Sequence, residues 1–344
     1  MKKYRIAVVG ATGMVGRAFL QVLEETALPN VGEYVLFSSA RSAGQEICWM
    51  GKTYVMQELT PASFDSGFDA ALFSAGGGVS KEYAPIAAAK GCVVIDNSSQ
   101  WRMDPDVPLV VPEVNPEAAK NHAKNIIANP NCSTIQAMLP LKAIKDRWGL
   151  KRVVYSTYQS VSGAGLAGYN DLVEGTKAFV QGTDFAPQKF PHPIFNNCIP
   201  HIDVFLEDGY TKEEHKMMDE TRKILQDESI AITATTVRVP VLSAHSESIN
   251  VETLRPFDMD EVKGCLAAFH KNLVVIDDPA TAQYPLATLA AGTNEVYVGR
   301  IRRDTSVENG LNLWCVADNI RKGAATNAVQ ILQLLLDMNV PSHT

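Results

Sequence analysis

Asn131-Cys132-Ser133-Thr134 places a cysteine where an apolar run, Asn125 to Ala128, meets Pro130 and a helical pattern takes over. Pro130 cannot continue a strand ladder and biases Asn129 away from helix, while Asn131, Ser133 and Thr134 can all cap a first turn. A helix is therefore predicted to start close to Cys132 and to run to about Trp148-Gly149. Unpaired N–H groups and the positive dipole end at that point favour a thiolate, which makes the sulfur a nucleophile at neutral pH. A free cysteine on its own is more often a packing residue; its company argues otherwise. His245, in Leu242-Ser243-Ala244-His245-Ser246, is predicted in a small polar turn between two strands and can act as an acid or base. His122, His192, His201, His215, His270 and His343 lie in polar loops or on helices without such a setting.

A second chemical signal opens the chain. Arg5-Ile6-Ala7-Val8-Val9 has the makings of a buried strand, and it runs into Gly10-Ala11-Thr12-Gly13-Met14-Val15-Gly16 ahead of an amphipathic Arg17 to Glu25. A strand, a glycine turn and a helix start form a phosphate cradle, because glycines let a pyrophosphate approach the helix N–H groups. The spacing is G-x-x-G-x-x-G and not G-x-G-x-x-G, with the same physics. The next strand, Tyr34 to Phe37, ends in Ser38-Ser39-Ala40-Arg41-Ser42-Ala43-Gly44, where an acid would normally meet a ribose 2′-hydroxyl. None is present; Ser39, Arg41 and Ser42 offer a cation and hydroxyls to a 2′-phosphate, which predicts NADP over NAD. A cysteine nucleophile combined with a nicotinamide cofactor means covalent aldehyde chemistry, in which a thiohemiacetal gives up a hydride and leaves a thioester.

The elements that must position these residues follow from patterning. Ala70 to Ala75 and Cys92 to Asp96 repeat the strand-then-polar-turn pattern, with a helix predicted over Ser80 to Lys90 between them and Arg102 just beyond a strand end. This βαβ alternation predicts a Rossmann-like doubly wound parallel sheet over residues 1–130. Strand patterns at Arg152 to Val161, Val237 to Val241, Ser248 to Thr253 and Glu295 to Arg300 predict a second, α+β domain with a mixed sheet over 131–319. Gly-, Pro- and Asn-rich 164–200, around a helical Tyr169 to Val180, reads as an insertion. A closing helix over 320–340, with Ala328, Ile331, Leu332, Leu335 and Leu336 on one face, is expected to complete the first domain.

Bulk properties narrow the class. Length (344 residues), 46% hydrophobic and 20% charged residues suit two globular domains, and a net charge of −7 argues against nucleic acid or an anionic membrane as partner. The six cysteines are scattered with no Cys-x-x-Cys pair and no histidine at zinc-ligand spacing, so no metal site is expected and a reduced, cytoplasmic setting is. Met1-Lys2-Lys3-Tyr4-Arg5 runs straight into a strand with no apolar leader, which reads as soluble and unprocessed.

Gly10 to Gly16, Ser39 to Gly44, Val111-Pro112-Glu113-Val114-Asn115, Pro130 to Gln136, Gln159 with Ser162-Gly163, Arg238 to His245 and Gly323-Ala324-Ala325, in this order along nearly the whole chain, resemble the bacterial aspartate-semialdehyde dehydrogenase family. Trp101 and Gly78 depart from its usual pattern, a smaller aromatic and a hydroxyl residue. The resemblance implies NADP-dependent reductive dephosphorylation of L-4-aspartyl phosphate to the semialdehyde, on the route to lysine, threonine and methionine. It implies Cys132 as nucleophile, His245 as acid/base and Gln159 as an orienting residue. Arg238, Asn131 and Glu213 would bind the substrate, and Arg102 and Lys216 the phosphate. Gly10, Thr12, Gly13, Met14, Val15, Gly16, Ser39, Arg41, Ser42, Ser162, Gly163 and Asn319 would hold NADP, with residues 131–319 catalysing and mediating a homodimer through the 164–200 insertion. The competing readings are an N-acetyl-gamma-glutamyl-phosphate reductase, a glyceraldehyde-3-phosphate type enzyme and a non-catalytic NADP-binding protein.

Overall fold

The first apolar run forms β1 (Tyr4–Val9), a strand near the middle of a parallel sheet, as its Ile6, Ala7 and Val8, all fully buried, require. The computed structural model describes residues 3–338. Met1 and Lys2, the last two positions of the helix expected at 320–340, and His343 lie outside the described residues. The chain forms two units, one reaching to Pro130 and resumed from Ala324, the other spanning Asn131 to Gly323.

In the first unit, α1 (Met14–Thr26), β2 (Val31–Ser38), β3 (Glu46–Trp49), β4 (Lys52–Val55), β5 (Gln57–Glu58), β6 (Ala70–Phe73), α2 (Gly77–Ala89), β7 (Val93–Asp96) and β8 (Ile126–Ala128) follow β1. The main sheet has the order β5-β2-β1-β6-β7-β8 and every pairing is parallel. The chain goes from β1 outward to β2 and returns on the other side to β6, so the doubly wound switch point lies between β1 and β6. The β3–β4 hairpin was not predicted. Its strands are short and mostly exposed, and its anchor is Trp49, whose Nε1 donates to the Leu20 carbonyl at 2.8 Å. The terminal helix Asn327–Asp337 belongs to this unit, and its Asn327 Nδ2 donates to Val110 O (2.9 Å) and Asn129 Oδ1 (2.7 Å) beside the end of β8. Residues Arg321–Thr326 before it form wider π-helical turns instead of the continuous α-helix expected.

The second unit contains α3 (Cys132–Trp148), β9 (Leu150–Gln159), α4 (Gly165–Gln181), α5 (Lys212–Leu225), β10 (Ala231–Arg238), β11 (His245–Thr253), α6 (Met259–Phe269), β12 (Leu273–Val275), α7 (Ala287–Ala290), β13 (Val296–Asp304) and β14 (Gly310–Ala317). Its mixed sheet runs β10-β9-β11-β14-β13-β12, parallel at β10–β9 and β12–β13 and antiparallel elsewhere. Helices α3, α5 and α6 pack together, touching β9, β10, β11 and β12. Two strand expectations move. Pro240 has no N–H for a ladder, so the strand predicted at Val237 to Val241 lies earlier, as β10, and β11 begins at His245 instead of Ser248. Strand β14 was not among those predicted, because after Leu311-Asn312-Leu313 its alternation gives way to Trp314 and the buried run Cys315-Val316-Ala317.

Candidate active site

The glycine turn follows β1, at the switch point of the first unit's sheet. A side chain at Gly10, which has φ +84°, would put its Cβ 2.4 Å from Ser74 O just past β6, and one at Gly16 would strike Gly10 O at 2.0 Å. Only glycines permit the turn to close against β6. Gly13 stands at the cap of α1 with no side chain to satisfy the first N–H groups, and that turn carries no acid. Bare N–H groups at a helix start fit a dinucleotide pyrophosphate, with Thr12, Met14 and Val15 half-buried in the same turn. After β2, Ser39 is followed by a short turn, Ala40–Ser42, with Arg41 exposed; no carboxylate lies between Ser38 and Gly44. These residues also fit the extra phosphate of NADP.

Arg102 follows β7 in the chain, as expected of a cation just beyond a strand end. It is 8% exposed, and its Nε donates to Asn129 O (2.9 Å) and its Nη2 to Asn97 O (3.0 Å), at the ends of β7 and β8. Nearby, burial raises the Asp96 carboxyl above its usual range, against opposing contributions from Ser98, Ser80 and Arg102.

In the second unit the nucleophile is held from its cap. Asn131 Oδ1 accepts from Ser133 N (2.9 Å) and Thr134 N (3.3 Å), Asn131 Nδ2 donates to Glu213 Oε1 (2.8 Å), and its backbone N–H donates to Glu220 Oε2 (2.6 Å). An N-cap of this kind stabilises a helix by about 1 kcal/mol; here it also fixes where Cys132 begins. Glu213 and Glu220 are seven apart on α5, two turns along one face, a spacing that could have identified Glu220 from the sequence.

Sheet order brings the other residues together. Arg238 ends β10, Gln159 ends β9 directly beside it, and His245 begins the antiparallel β11, so three adjacent strands deliver their functional side chains to one edge. Gln159 Nε2 donates to Glu213 Oε1 (3.2 Å) and Arg238 Nη1 to Ser160 O (2.6 Å). A Cβ at Gly163 would lie 2.9 Å from Arg238 Nη1 and 3.1 Å from the His245 ring, so the glycine lets the two approach. Lys216 Nζ bridges Glu213 (3.1 Å) and Asp203 (2.6 Å). Burial opposes charge on both Glu213 and Lys216, but Lys216 and Asn131 hold Glu213 ionised, its pKa lowered, and the carboxylates raise that of Lys216. Burial lowers the pKa of Arg238, while Glu213 and Cys132 favour its charge.

His245 differs from expectation in its setting. It sits on a strand, wholly buried, and the preceding Ala244 adopts φ +69°, a strained conformation held by its N–H on Asn319 Oδ1 (3.1 Å). Its Nδ1 accepts the Ser160 N–H at 3.0 Å. The neutral ring therefore carries its proton on Nε2, a buried atom with no partner among the described residues. Burial, then Arg238, lowers its pKa well below the ordinary value, so it is neutral at pH 7. Such a ring donates from Nε2. Asn319 Oδ1 also accepts from Ser160 Oγ (3.0 Å) and Ser162 Oγ (3.1 Å), and its buried Nδ2 is unpartnered among the described residues.

Glu247 was not anticipated. It lies one inward step along β11 from His245, between Thr157 and Cys315 on the neighbouring strands, fully buried with both oxygens unpartnered among the described residues. Burial, and then Glu213, raises its pKa well above the ordinary value. The Cys315 thiol, raised likewise by burial and Glu247, donates to Gln136 O (3.6 Å), the carbonyl that Pro140 leaves without an N–H inside α3. It is a donor and no rival nucleophile to Cys132.

Residues 5–122 match the family described as semialdehyde dehydrogenase, NAD binding domain, and residues 141–322 match semialdehyde dehydrogenase, dimerisation domain. The chain is 57% identical to the aspartate-semialdehyde dehydrogenase of Aquifex aeolicus across 97% of its own length and 98% of the relative's. It is similar to the crystal structure of aspartate semialdehyde dehydrogenase II complexed with ASA from Vibrio cholerae (TM-score 0.94, 47% identity, 98% and 99% of the two chains). It is also similar to the Candida albicans enzyme with NADP (TM-score 0.78, 26% identity, 98% and 99%).

Proposed function

The chain belongs to the aspartate-semialdehyde dehydrogenase family, and from that premise we propose that it reduces L-4-aspartyl phosphate to L-aspartate 4-semialdehyde, with release of phosphate, through a thioester on Cys132. The observation that supports this most directly is the meeting of Arg238, Gln159 and His245 at one sheet edge, with the Asn131 cap of the Cys132 helix tied to the same Glu213 as Gln159. The Cys132 thiolate attacks the acyl carbonyl, and the Nε2–H of His245 donates to the oxygen that becomes negative. Expulsion of phosphate, which takes up the proton it needs from solvent, leaves the thioester. NADPH, when bound, supplies a hydride to that thioester. Collapse of the resulting alkoxide returns the thiolate and frees the aldehyde, so no proton need pass to or from the carbonyl oxygen. His245 thus serves by hydrogen bonding, and the helix start and Arg238 favour the thiolate.

Arg238 grips the substrate carboxylate through the guanidinium edge not used on Ser160, and Glu213 takes the α-ammonium. An ionised, buried Glu213 favours a free amine over an N-acetylated one, which counts against the acetyl-glutamyl reading. Arg102 and Lys216 bind the phosphate. Gly10, Thr12, Gly13, Met14, Val15 and Gly16 cradle the cofactor pyrophosphate, Ser39, Arg41 and Ser42 its 2′-phosphate, and Ser162, Gly163 and Asn319 complete the set. The test is phosphate-dependent NADP reduction with aspartate semialdehyde, run beside N-acetyl-glutamate semialdehyde; turnover of the second alone would refute the assignment. Arg41→Ala should weaken NADP roughly ten- to a hundredfold, the worth of a hydrogen bond to a charged group, and NAD little. Equal losses for the two cofactors, measured by fluorescence titration, would remove Arg41 from this role.

We propose a homodimer for the unit matched by the dimerisation model. The face of its sheet away from α3 leaves Ser156, Ser248 and Trp314 half-exposed and Tyr158 41% exposed, with the Tyr158 and Trp314 rings 5.4 Å apart. A sheet face that leaves an aromatic pair between small polar residues within reach of solvent suits a second copy. Tyr158→Glu should shift sedimentation toward monomer, and an unchanged dimer would place the interface elsewhere. Among the described residues no helix is long and apolar enough to cross a membrane, which is compatible with the cytoplasmic setting proposed.

A further inference from the structure

Asp171, on α4, does more than its place in an insertion suggests. It is 3% exposed, and its carboxylate accepts three successive backbone N–H groups: Gln188 on Oδ1 (3.0 Å), and Lys189 (2.7 Å) and Phe190 (3.1 Å) on Oδ2. Three charge-assisted hydrogen bonds from one buried acid pin an otherwise irregular segment. They turn it so that the Phe190 ring packs on the buried cluster of Val161, Leu172, Ile194 and Ile199. The same ring lies with its centroid 5.8 Å from Cζ of Arg238. Gly168 makes room for it, since a Cβ there would meet the Phe190 ring at 3.0 Å. The backbone of Ile199 exchanges hydrogen bonds with that of Arg238 at 2.8 and 2.9 Å. The guanidinium is therefore bounded by the Ser160 carbonyl at Nη1 and by an aromatic ring.

We propose that Asp171 and Phe190 are positioning residues for Arg238, holding the guanidinium in the orientation from which its remaining edge receives the substrate carboxylate. This rests on the reading that Arg238 is the carboxylate anchor. Phe190 supplies a negative ring face that favours the cation and excludes water from one side of it, and Asp171 fixes where that ring sits. The role differs from packing because a leucine would fill much of the same space and offer no such face.

The experiment compares wild type with Phe190→Ala, Phe190→Leu, Phe190→Tyr, Asp171→Asn and Arg238→Lys. It reads kcat and the separate KM values for aspartate semialdehyde, phosphate and NADP, and the ratio of Cys132 alkylation rates with iodoacetate and iodoacetamide. Phe190→Ala and Phe190→Leu should raise the semialdehyde KM roughly three- to tenfold with the other KM values within about twofold. The iodoacetate preference should fall with it, because that reagent's carboxylate needs a placed guanidinium and iodoacetamide does not. Phe190→Tyr should restore both, and Asp171→Asn should follow Phe190→Ala in direction. A Phe190→Leu enzyme like wild type, or a Phe190→Ala enzyme with all three KM values moved alike, overturns the proposal. If Phe190→Ala unfolds, Leu and Tyr decide it. An unmoved semialdehyde KM in Arg238→Lys would instead defeat the underlying assignment of Arg238, whereas a raised one beside unaffected Phe190 variants defeats only the inference made here.

Discussion

Cys132→Ser is expected to be almost inactive, with kcat down by several orders of magnitude. An alkoxide is far harder to form at pH 7 than a thiolate, and an oxygen ester is a poorer acyl donor than a thioester, so both half-reactions suffer from a nearly isosteric change. The cap formed by Asn131 does not depend on the sulfur, so the fold should persist. Mass spectrometry of wild-type protein incubated with semialdehyde and NADP, without phosphate, should show an acyl adduct on Cys132 that disappears when phosphate is added. Full turnover by Cys132→Ser, or an adduct on the exposed Cys48 or Cys198 in its place, would defeat the covalent mechanism.

His245→Ala should lower kcat on the order of a hundred- to a thousandfold, the usual effect of deleting one donor to a developing oxyanion. What separates a donor from a base is the thiol. With Nδ1 accepting from Ser160 N–H, the neutral ring has no lone pair at Nε2 to offer Cys132. The pH dependence of Cys132 alkylation by iodoacetamide should therefore be nearly the same in His245→Ala and wild type. A marked loss of thiol reactivity in the variant at neutral pH would show that His245 does remove the thiol proton, and would return it to the role of base.

How much of this was legible in the sequence depended on whether the signal was local. The helix start at Cys132 and the glycine turn were readable because Pro130, Asn131 and the glycines act within a few residues of themselves. The doubly wound sheet was readable because fully buried parallel strands such as Ala70–Phe73 are apolar on both faces. The role of Arg238 came from the family resemblance and that of His245 from its polar turn, and their meeting at one edge depends on strand order, which no local pattern encodes. The tautomer of His245 depends on a backbone N–H eighty-five residues away in sequence. Glu247 was invisible for a related reason: a glutamate at an inward strand position contradicts the alternation used to find strands. Seen in the fold, that contradiction marks the residue out.

Glu247 also bears on the conditions under which the chain stays folded. An unfolded glutamate titrates near 4.3, and the folded one titrates well above its ordinary value, so between the two the folded state binds the extra proton. Stability is then fully present below the unfolded value and falls as pH rises toward the folded one, by roughly 1.4 kcal/mol for each pH unit inside that window. His245 has the opposite sign, its lowered pKa making stability rise with pH until the unfolded imidazole is neutral, so above pH 7 it no longer contributes. Burial disfavours the Glu247 anion most, and the ionised Glu213 disfavours it further by charge. Melting temperature measured from pH 6 to 9 should decline more steeply for wild type than for Glu247→Gln, which keeps the shape and has nothing to titrate; parallel curves would mean that Glu247 is not held neutral. An acid that lies behind the catalytic edge thus makes alkaline conditions costly to the fold.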